Sequence, residues 1–256
     1  DYRGREHYPT SPSEFFQRVG LNRHTKNVLY LNNDVIMTRM GITLVSAELN
    51  AMQMVLEYFE KPFDYWINLS GSAMPLRNIH AVESWLYQYG VEKGGVNFME
   101  DICQLAWSPN DVIREHHNAA PEVKDNSHCD LLQNRMTEHV IDLGRPELNQ
   151  PVHVNRERWF PHDYLPDAYL ATSIGQTTFI VHKGAQWQMK HIDFVRYALY
   201  SSDARDLLVF FSSRNVPDES FFQTLIAYNP NKQFLLQTEG FPTAYVNWNC
   251  PDEERL

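Results

Sequence analysis

Two carboxylates stand together at Pro217-Asp218-Glu219, where a loop meets a predicted helix. Asp218 is placed to cap that helix, and Glu219 then falls in its first turn, where the helix dipole favours a negative charge. Acidic residues are common at such positions for structural reasons alone. A carboxylate at a loop–helix junction can also act as a general base towards a hydroxyl group. From these residues alone, both interpretations of Glu219 stay open.

Two further stretches have residues suited to contacting a ligand. A predicted strand over 63–69 leads into Ser70-Gly71-Ser72. In open α/β sheets, ligands bind beyond the carboxyl ends of strands, where small residues such as Gly71 and Ser72 let backbone amides approach. An ordinary tight strand–helix connection explains the same residues. Trp187 follows a second predicted strand. If its side chain is exposed, it can stack on a sugar face, and if the side chain is buried, it belongs to the core.

The histidines and cysteines do not predict a metal site. The pairs His116-His117 and His128-Cys129 lack the helical two-His spacing and the acidic neighbours of common metal motifs. The three cysteines, Cys103, Cys129 and Cys250, are too few and too scattered for a zinc site or a disulfide framework. One disulfide with a spare thiol and three free thiols both stay open.

Other motifs of nucleotide and ester chemistry are missing from the sequence. It contains no Gly-rich phosphate loop, no Gly-x-Ser-x-Gly elbow and no Asp-x-Asp element. These absences exclude P-loop nucleotide hydrolases, α/β-hydrolases and the usual metal-dependent nucleotide-sugar signature.

Hydrophobic patterning predicts the elements that position the candidate residues. Apolar residues at steps of three and four predict a helix over 43–59. Further helices are predicted over 79–89, 191–200, 204–212 and from 218 or 219 to 228, and strands over 28–31, 63–69, 96–99, 177–181 and 244–248. This alternation is typical of α/β layer folds. We expect a single domain over 1–256, with an irregular leader over 1–25 and a loop-rich insert over 103–170.

Composition limits the class of protein. The 256 residues include 22 Lys+Arg and 32 Asp+Glu, a formal net charge of −10, and 43% are hydrophobic, as in folded globular chains. Nucleic-acid binding needs a basic surface, which this composition does not supply. No segment approaches about 18 uninterrupted apolar residues, so no membrane span is predicted within these residues.

Three stretches resemble one enzyme family. Residues 63–76 read FDYWINLSGSAMPL, residues 182–195 read HKGAQWQMKHIDFV, and residues 217–229 read PDESFFQTLIAYN. They are similar to W-D-Y-x-I-N-L-S-G-S-D-Y-P-L, K-G-S-Q-W…R-x-F-V and P-D-E-x-F-x-x-T of the Core-2/I-branching β-1,6-N-acetylglucosaminyltransferase family, which includes the peptide O-xylosyltransferases. The three stretches occur in the same order as in the family, and the resemblance covers most of residues 26–250.

The resemblance implies an inverting, metal-independent glycosyltransferase with a GT-A-like fold, in which helices flank a mixed central sheet. It implies transfer of GlcNAc from the donor substrate UDP-GlcNAc to a hydroxyl group of a glycan or glycoprotein acceptor. No cofactor is expected. The family's general base is the glutamate of Pro-Asp-Glu, which corresponds to Glu219. That carboxylate would take the acceptor proton as the acceptor oxygen attacks the anomeric carbon, in line with the departing UDP.

The resemblance also implies an acceptor site. Glu147 and the pair Arg158-Trp159 stand at offsets similar to those of the family's acceptor-binding residues, with Asn155 in place of a lysine. Trp248 matches the sugar-stacking tryptophan. The predicted substrate-binding set therefore consists of Glu147, Arg158, Trp248, Trp187, Gly71 and Ser72.

The sequence departs from the family pattern in several places. Ala73-Met74 replaces Asp-Tyr, and Ala185 replaces a serine. The family's opening strand and its basic C-terminal segment, which holds the diphosphate, are missing, so we expect a fold incomplete at both ends that binds UDP-sugars poorly on its own. Family members face the Golgi lumen from a single membrane anchor, which would lie before residue 1.

Two alternatives to GlcNAc transfer stay open. Residues 220–224, SFFQT, favour a peptide O-xylosyltransferase that uses UDP-xylose, whereas Glu147 with Arg158 favours GlcNAc. Ala73 and the missing termini favour a catalytically degenerate glycan-binding domain.

Overall fold

A computed structural model describes residues 17, 37–59, 63–69, 76–107, 112–113, 131–132, 134–136, 138–143, 150–153, 179–228, 233–240 and 243. The chain divides into two compact units, Asp1–Ile36 and Met37–Leu256. Gln17, which is helical, is the described residue of the first unit, and all other described residues belong to the second. Within the described ranges, no helix has the length and hydropathy needed to cross a membrane.

The helices follow the periodicity of the sequence closely. They are α1 (Ile42–Tyr58), α2 (Ile79–Leu86), α3 (Ile192–Tyr200), α4 (Ser202–Phe211), α5 (Phe221–Tyr228) and α6 (Gln233–Leu236). The first four confirm the helices predicted over 43–59, 79–89, 191–200 and 204–212. Tyr87–Val91 forms a π-helical turn after α2. Side chains of Asn78 and Ser201 cap α2 and α4 by accepting hydrogen bonds from backbone amides.

The strands are short and form three sheets. They are β1 (Tyr65–Ile67), β2 (Asn97–Phe98), β3 (Cys103–Trp107), β4 (Val112–Ile113), β5 (Val140–Ile141), β6 (Val152–His153), β7 (Phe179–Lys183), β8 (Met189–His191) and β9 (Thr238–Glu239). The largest sheet has the order β1-β8-β2-β9 and is mixed, because β2 runs antiparallel to β8 and parallel to β9. The other sheets, β4-β3-β7 and β5-β6, are antiparallel. The described unit is therefore a mixed α/β structure.

Several strands differ from the sequence prediction. β1 and β2 lie inside the predicted ranges 63–69 and 96–99 but are shorter. β7 ends at Lys183 rather than at 181, because its pairing with β3 continues to the Cys103–Lys183 register. Six strands were not predicted, and four of them, β3 to β6, lie in the region 103–170 that the sequence assigned to a loop-rich insert; the others are β8 and β9. The strands predicted over 28–31 and 244–248 lie outside the described residues.

Two hydrophobic clusters cover opposite faces of the mixed sheet. Successive residues of β1 point to opposite sides, as in any strand. Trp66 packs against the larger cluster, which contains Val45 of α1, Phe194 of α3 and Phe222 of α5, whereas Tyr65 packs against the smaller cluster beside α2. The sheet is thus enclosed between α2 on one side and α1, α3 and α5 on the other.

Cys103, at the start of β3, is disulfide-bonded. This finding resolves the alternative left open by the sequence in favour of a bridge. The other two cysteines of the chain, Cys129 and Cys250, lie outside the described residues.

Candidate active site

Glu219 lies at the end of a short 3₁₀ turn, Pro217–Glu219, and α5 begins only at Phe221. The predicted arrangement, in which Asp218 caps an α-helix and Glu219 occupies its first turn, is therefore wrong. The turn displaces the start of the helix by two residues. The common preference for acidic residues in the first turn of an α-helix therefore does not explain the position of Glu219.

The backbone before this turn is strained. Val216 has a φ of 54°, in the left-handed region that a β-branched residue rarely adopts. Its N–H donates to the carbonyl oxygen of Met40 at 2.9 Å, and Met40 has a φ of 66°. Each such residue costs on the order of 1–3 kcal/mol, and conformations of this kind cluster at functional sites. The strain therefore marks the turn that carries Glu219 as a candidate functional element.

Two cations hold one oxygen of the Glu219 carboxylate. Oε2 lies 2.6 Å from Nη1 of Arg135 and 3.3 Å from Nζ of Lys183. The side chains of Arg135 and Lys183 are 12% and 5% exposed, whereas that of Glu219 is 31% exposed. Oε1 has no hydrogen-bond partner within the described part of the chain. The carboxylate is therefore fixed at one oxygen and open at the other.

The environments of Asp218 and Glu219 move their pKa values in opposite directions. Burial acts to raise the pKa of Glu219, but the hydrogen bond and charge of Arg135, with the charge of Lys183, outweigh burial and lower this pKa below its ordinary value. Burial, together with the negative charge of Glu219, raises the pKa of Asp218 to about 6. At neutral pH, Glu219 is consequently ionised and can accept a proton. Divergent pKa values in adjacent groups are typical of acid–base sites.

Strand β7 places Lys183 beside Glu219. Successive strand residues face opposite sides, so Lys183 faces Glu219 while the ring of His182 lies against Asp101, with 2.9 Å between His182 Nδ1 and Asp101 Oδ2. The chain then turns at Gly184, whose N–H donates to the Glu219 carbonyl oxygen at 2.9 Å. A Cβ atom at Gly184 would lie 1.7 Å from the carbonyl oxygen of Glu100, so the close approach requires glycine.

The three stretches that carry the family resemblance are neighbours in space. The stretch containing Lys183-Gly184 joins the Glu219 turn through the contacts just described, and the Gln223 side chain donates to the Ala185 carbonyl oxygen at 2.9 Å. The first stretch contributes β1, which pairs with β8 in the register Trp66–Lys190. The backbone amide of Asn68 continues this pairing by donating to the Gln188 carbonyl oxygen at 3.2 Å.

The structure locates only part of the predicted site. Trp187 is partly exposed, and its carbonyl oxygen accepts a hydrogen bond from Thr243 Oγ1 at 2.8 Å. Its role in substrate binding stays a prediction. The other predicted binding residues and several neighbouring positions lie outside the described residues: Gly71, Ser72, Ala73, Met74, Glu147, Asn155, Arg158, Trp159 and Trp248.

The sequence did not identify Arg135 or Lys183 as site residues. Lys183 belongs to the stretch 182–195, which resembles a family motif. The alternation of side chains along β7 indicates that Lys183 faces away from His182. Arg135 lies in a weakly patterned region and reaches Glu219 only through tertiary packing, so no local signal distinguishes it. Among the described residues, no group of three or more His, Cys, Asp or Glu side chains could hold a metal ion. Metal independence stays a prediction.

A buried ion pair lies close to the site. Lys190 of β8 is fully buried, and its Nζ lies 2.7 Å from Glu48 Oε1 and 4.1 Å from the centre of the Phe222 ring. The indole N–H of Trp66 donates to the same Glu48 oxygen at 3.1 Å. Burial lowers the pKa of Lys190 from its ordinary value, while Glu48 opposes that shift. The pair connects α1 to the centre of the sheet.

Comparison with known proteins identifies the class of this structure. The family model of the Core-2/I-branching enzyme matches residues 9–255. The chain belongs to this family, which is a family of glycosyltransferases. It is also 24% identical over 243 residues to xylosyltransferase 1 of Mus musculus, a match that covers 93% of this chain and 20% of the relative. The chain thus spans about a fifth of the length of that curated relative. Family membership confirms the resemblance seen in the three stretches.

Proposed function

We propose that the chain contains the catalytic base of an inverting glycosyltransferase, and that this base is Glu219. The observation that carries the proposal is the asymmetric environment of its carboxylate. Arg135 and Lys183 bind Oε2, and Oε1 stays open on a side chain that is 31% exposed. Family membership supplies the reaction class, which is transfer of a sugar from a nucleotide donor to a hydroxyl group.

The reaction proceeds in a single displacement. The acceptor hydroxyl donates its proton to Oε1 of Glu219, its oxygen forms a bond to the anomeric carbon, and the bond from that carbon to the UDP oxygen breaks. The electron pair of the broken bond leaves with UDP. Because attack and departure occur on opposite faces, the anomeric configuration inverts. The protein needs a positioned base and no covalent nucleophile.

Arg135 and Lys183 orient the Glu219 carboxylate, and they also make it a weaker base by lowering its pKa. They keep the carboxylate ionised, and they direct Oε1 away from the ion pairs. A lowered pKa weakens the base, so proton transfer from the hydroxyl occurs as the acceptor oxygen forms its bond and becomes more acidic. We therefore expect Arg135 and Lys183 to act as positioning residues for Glu219.

Xylose and N-acetylglucosamine are the two candidate donor sugars. The similarity to xylosyltransferase 1 over 93% of the chain favours UDP-xylose and a protein hydroxyl as acceptor. The predicted acceptor residues Glu147 and Arg158 favour UDP-GlcNAc and a glycan acceptor. A GT-A-like arrangement and metal independence are part of the same proposal. The disulfide at Cys103 supports an oxidising compartment such as the Golgi lumen.

The test is a donor assay with purified full-length protein. Radiolabelled UDP-xylose and UDP-GlcNAc are supplied separately with peptide and glycan acceptors, and wild type is compared with Glu219→Gln. We expect transfer from one donor and a loss of at least about a hundredfold in kcat for the variant, with acceptor binding retained. Glu92→Gln, which changes an exposed glutamate, is the matched control. Glycan binding without turnover in either protein would favour a degenerate glycan-binding domain.

A further inference from the structure

A cavity with several polar groups in its lining lies on the face of β7 that carries His182, opposite the face of Lys183 and Glu219. Its volume is about 180 Å³, and its lining includes the polar residues Asp101, His182, Gln223 and Thr238 and the apolar residues Ile226 and Leu235. His182 and Gln223 are only 5% and 2% exposed, so this polar lining is built into the interior of the fold. The proposed transfer reaction makes no use of these groups.

The Asp101–His182 pair presents acceptors to the cavity. Asp101 Oδ2 lies 2.9 Å from His182 Nδ1 and accepts a hydrogen bond from Gln104 Nε2 at 2.8 Å. When a neutral imidazole donates its Nδ1–H to a carboxylate, its Nε2 atom is an acceptor. This Nε2 atom has no partner within the part of the chain that the structure describes. In that tautomer, Nε2 can accept a hydrogen bond from a ligand in the cavity.

Gln223 and Thr238 contribute further acceptor atoms to the cavity. Gln223 Nε2 donates to the Ala185 carbonyl oxygen, and its Oε1 is buried with no partner in the described ranges. Thr238 Oγ1 donates to the Phe234 carbonyl oxygen at 2.6 Å, which leaves its lone pairs to accept. Among the lining residues that the structure describes, none carries a lysine or arginine side chain. The cavity therefore combines several acceptors with one carboxylate charge.

We propose that this cavity binds a primary ammonium group on a short alkyl chain. An ammonium has three N–H donors, no acceptor and a positive charge, which complements this acceptor-rich lining. A phosphate or carboxylate would place negative charge against Asp101. Ile226 and Leu235 offer apolar surface to the methylene groups. At roughly 30 Å³ for each water-sized group, the volume accommodates an ion of the size of butylammonium.

The ammonium has two sources, a lysine side chain of a protein and a free alkylamine. The test is a titration of purified full-length protein with n-butylammonium chloride, and binding is measured by isothermal calorimetry and NMR. A parallel titration with butan-1-ol provides the uncharged comparison. A short peptide is titrated with lysine or norleucine at one position. We expect butylammonium to bind at least about tenfold more tightly than the alcohol, because a charge-assisted hydrogen bond is lost in the latter. Preference for the lysine peptide identifies a protein ligand, and binding of the free amine alone identifies a small-molecule ligand.

Variants assign the binding to this cavity. Asp101→Asn keeps the shape of the side chain and removes its charge, and we expect it to weaken butylammonium binding at least about tenfold. Asp64→Asn, at an exposed aspartate, should leave binding unchanged. Leu235→Trp adds bulk to the cavity from an apolar lining residue that is 38% exposed, so it provides a second variant if Asp101→Asn unfolds.

Specific outcomes overturn the proposal. Equal affinity for butylammonium and butan-1-ol, or retention of binding in a folded Asp101→Asn or Leu235→Trp protein, would show that the cavity is not an ammonium site. Glu219→Gln should leave butylammonium affinity unchanged. The binding measurement thus fails or succeeds independently of the proposed glycosyl transfer.

Discussion

The raised pKa of Asp218 predicts a specific dependence of stability on pH. Asp218 is largely buried, and its Oδ1 atom has no hydrogen-bond partner among the described residues. Its pKa is about 6 in the folded protein, against an ordinary value of 3.8. Because the folded state binds this proton more tightly than the unfolded state, the contribution to stability is complete below about pH 4 and is lost as the pH rises to about 6. The difference between the pKa of about 6 and the ordinary 3.8 corresponds to roughly 3 kcal/mol.

Replacing Asp218 with asparagine removes the charge and therefore this penalty. Above pH 6, we expect Asp218→Asn to be more stable than wild type by up to roughly 3 kcal/mol, with the difference vanishing below about pH 4. Urea unfolding of both proteins between pH 3.5 and 8 (about one measurement per half unit), with the disulfide kept oxidised, measures the difference. This pH range includes both the ordinary pKa of Asp218, 3.8, and its pKa of about 6 in the folded protein.

The control is Asp64→Asn, at an exposed position, for which we expect a change within about 0.5 kcal/mol at every pH. A difference between Asp218→Asn and wild type that is flat across this range would refute the reasoning. So would a variant less stable than wild type at pH 7.5. Either result would mean that the folded protein pays no electrostatic penalty for a charged Asp218.

Three further predictions follow from the contacts around the site. Lys183→Met removes a cation from Glu219, so the pKa of this glutamate rises and the acid limb of the kcat/KM profile moves to higher pH. Glu48→Gln leaves the fully buried Lys190 without a counter-charge, so urea unfolding should show a loss of about 3–5 kcal/mol. Gly184→Ala forces a Cβ against a backbone carbonyl, so urea unfolding should show a loss of about 1–3 kcal/mol, and the donor assay a lower kcat.

Matched changes separate these effects from general damage. Gly240→Ala should be nearly neutral, because its Cβ would lie 3.9 Å from the nearest neighbour, the Met99 carbonyl oxygen. Glu48→Met combined with Lys190→Met removes both buried charges and should recover much of the stability lost in Glu48→Gln. A pH profile of Lys183→Met that coincides with wild type would contradict the assigned role of Lys183.

The sequence predicted the helices well because their apolar faces follow a regular period. α1, α3 and α4 are amphipathic and long enough for this signal to be clear. The strands were harder, because β8 and β9 have only three and two residues and derive their identity from pairing with distant partners. The start of α5 was missed because a 3₁₀ turn and an α-helical first turn share the same residue preferences.

The sequence selected one residue of the candidate site but not its neighbours in space. Glu219 was selected through the resemblance of the contiguous stretch Pro217-Asp218-Glu219 to the family's Pro-Asp-Glu motif, since the residues alone left its role open. Arg135 could not, because its contact with Glu219 joins residues far apart in the chain. The opposite pKa shifts of Asp218 and Glu219 depend on burial and on these distant cations, which local sequence does not encode.

The contact between Met40 and Val216 makes the geometry of the Glu219 turn depend on residues far apart in the chain. Each of these residues is strained, and the hydrogen bond between them joins the two strained segments. During synthesis, residue 40 leaves the ribosome long before residue 216, so the turn holding Glu219 cannot acquire its final geometry until most of this unit has been made. The buried core residues Phe221 and Phe222 also follow residue 216 in the chain, so the hydrophobic core and the Glu219 turn are completed at the same stage of synthesis.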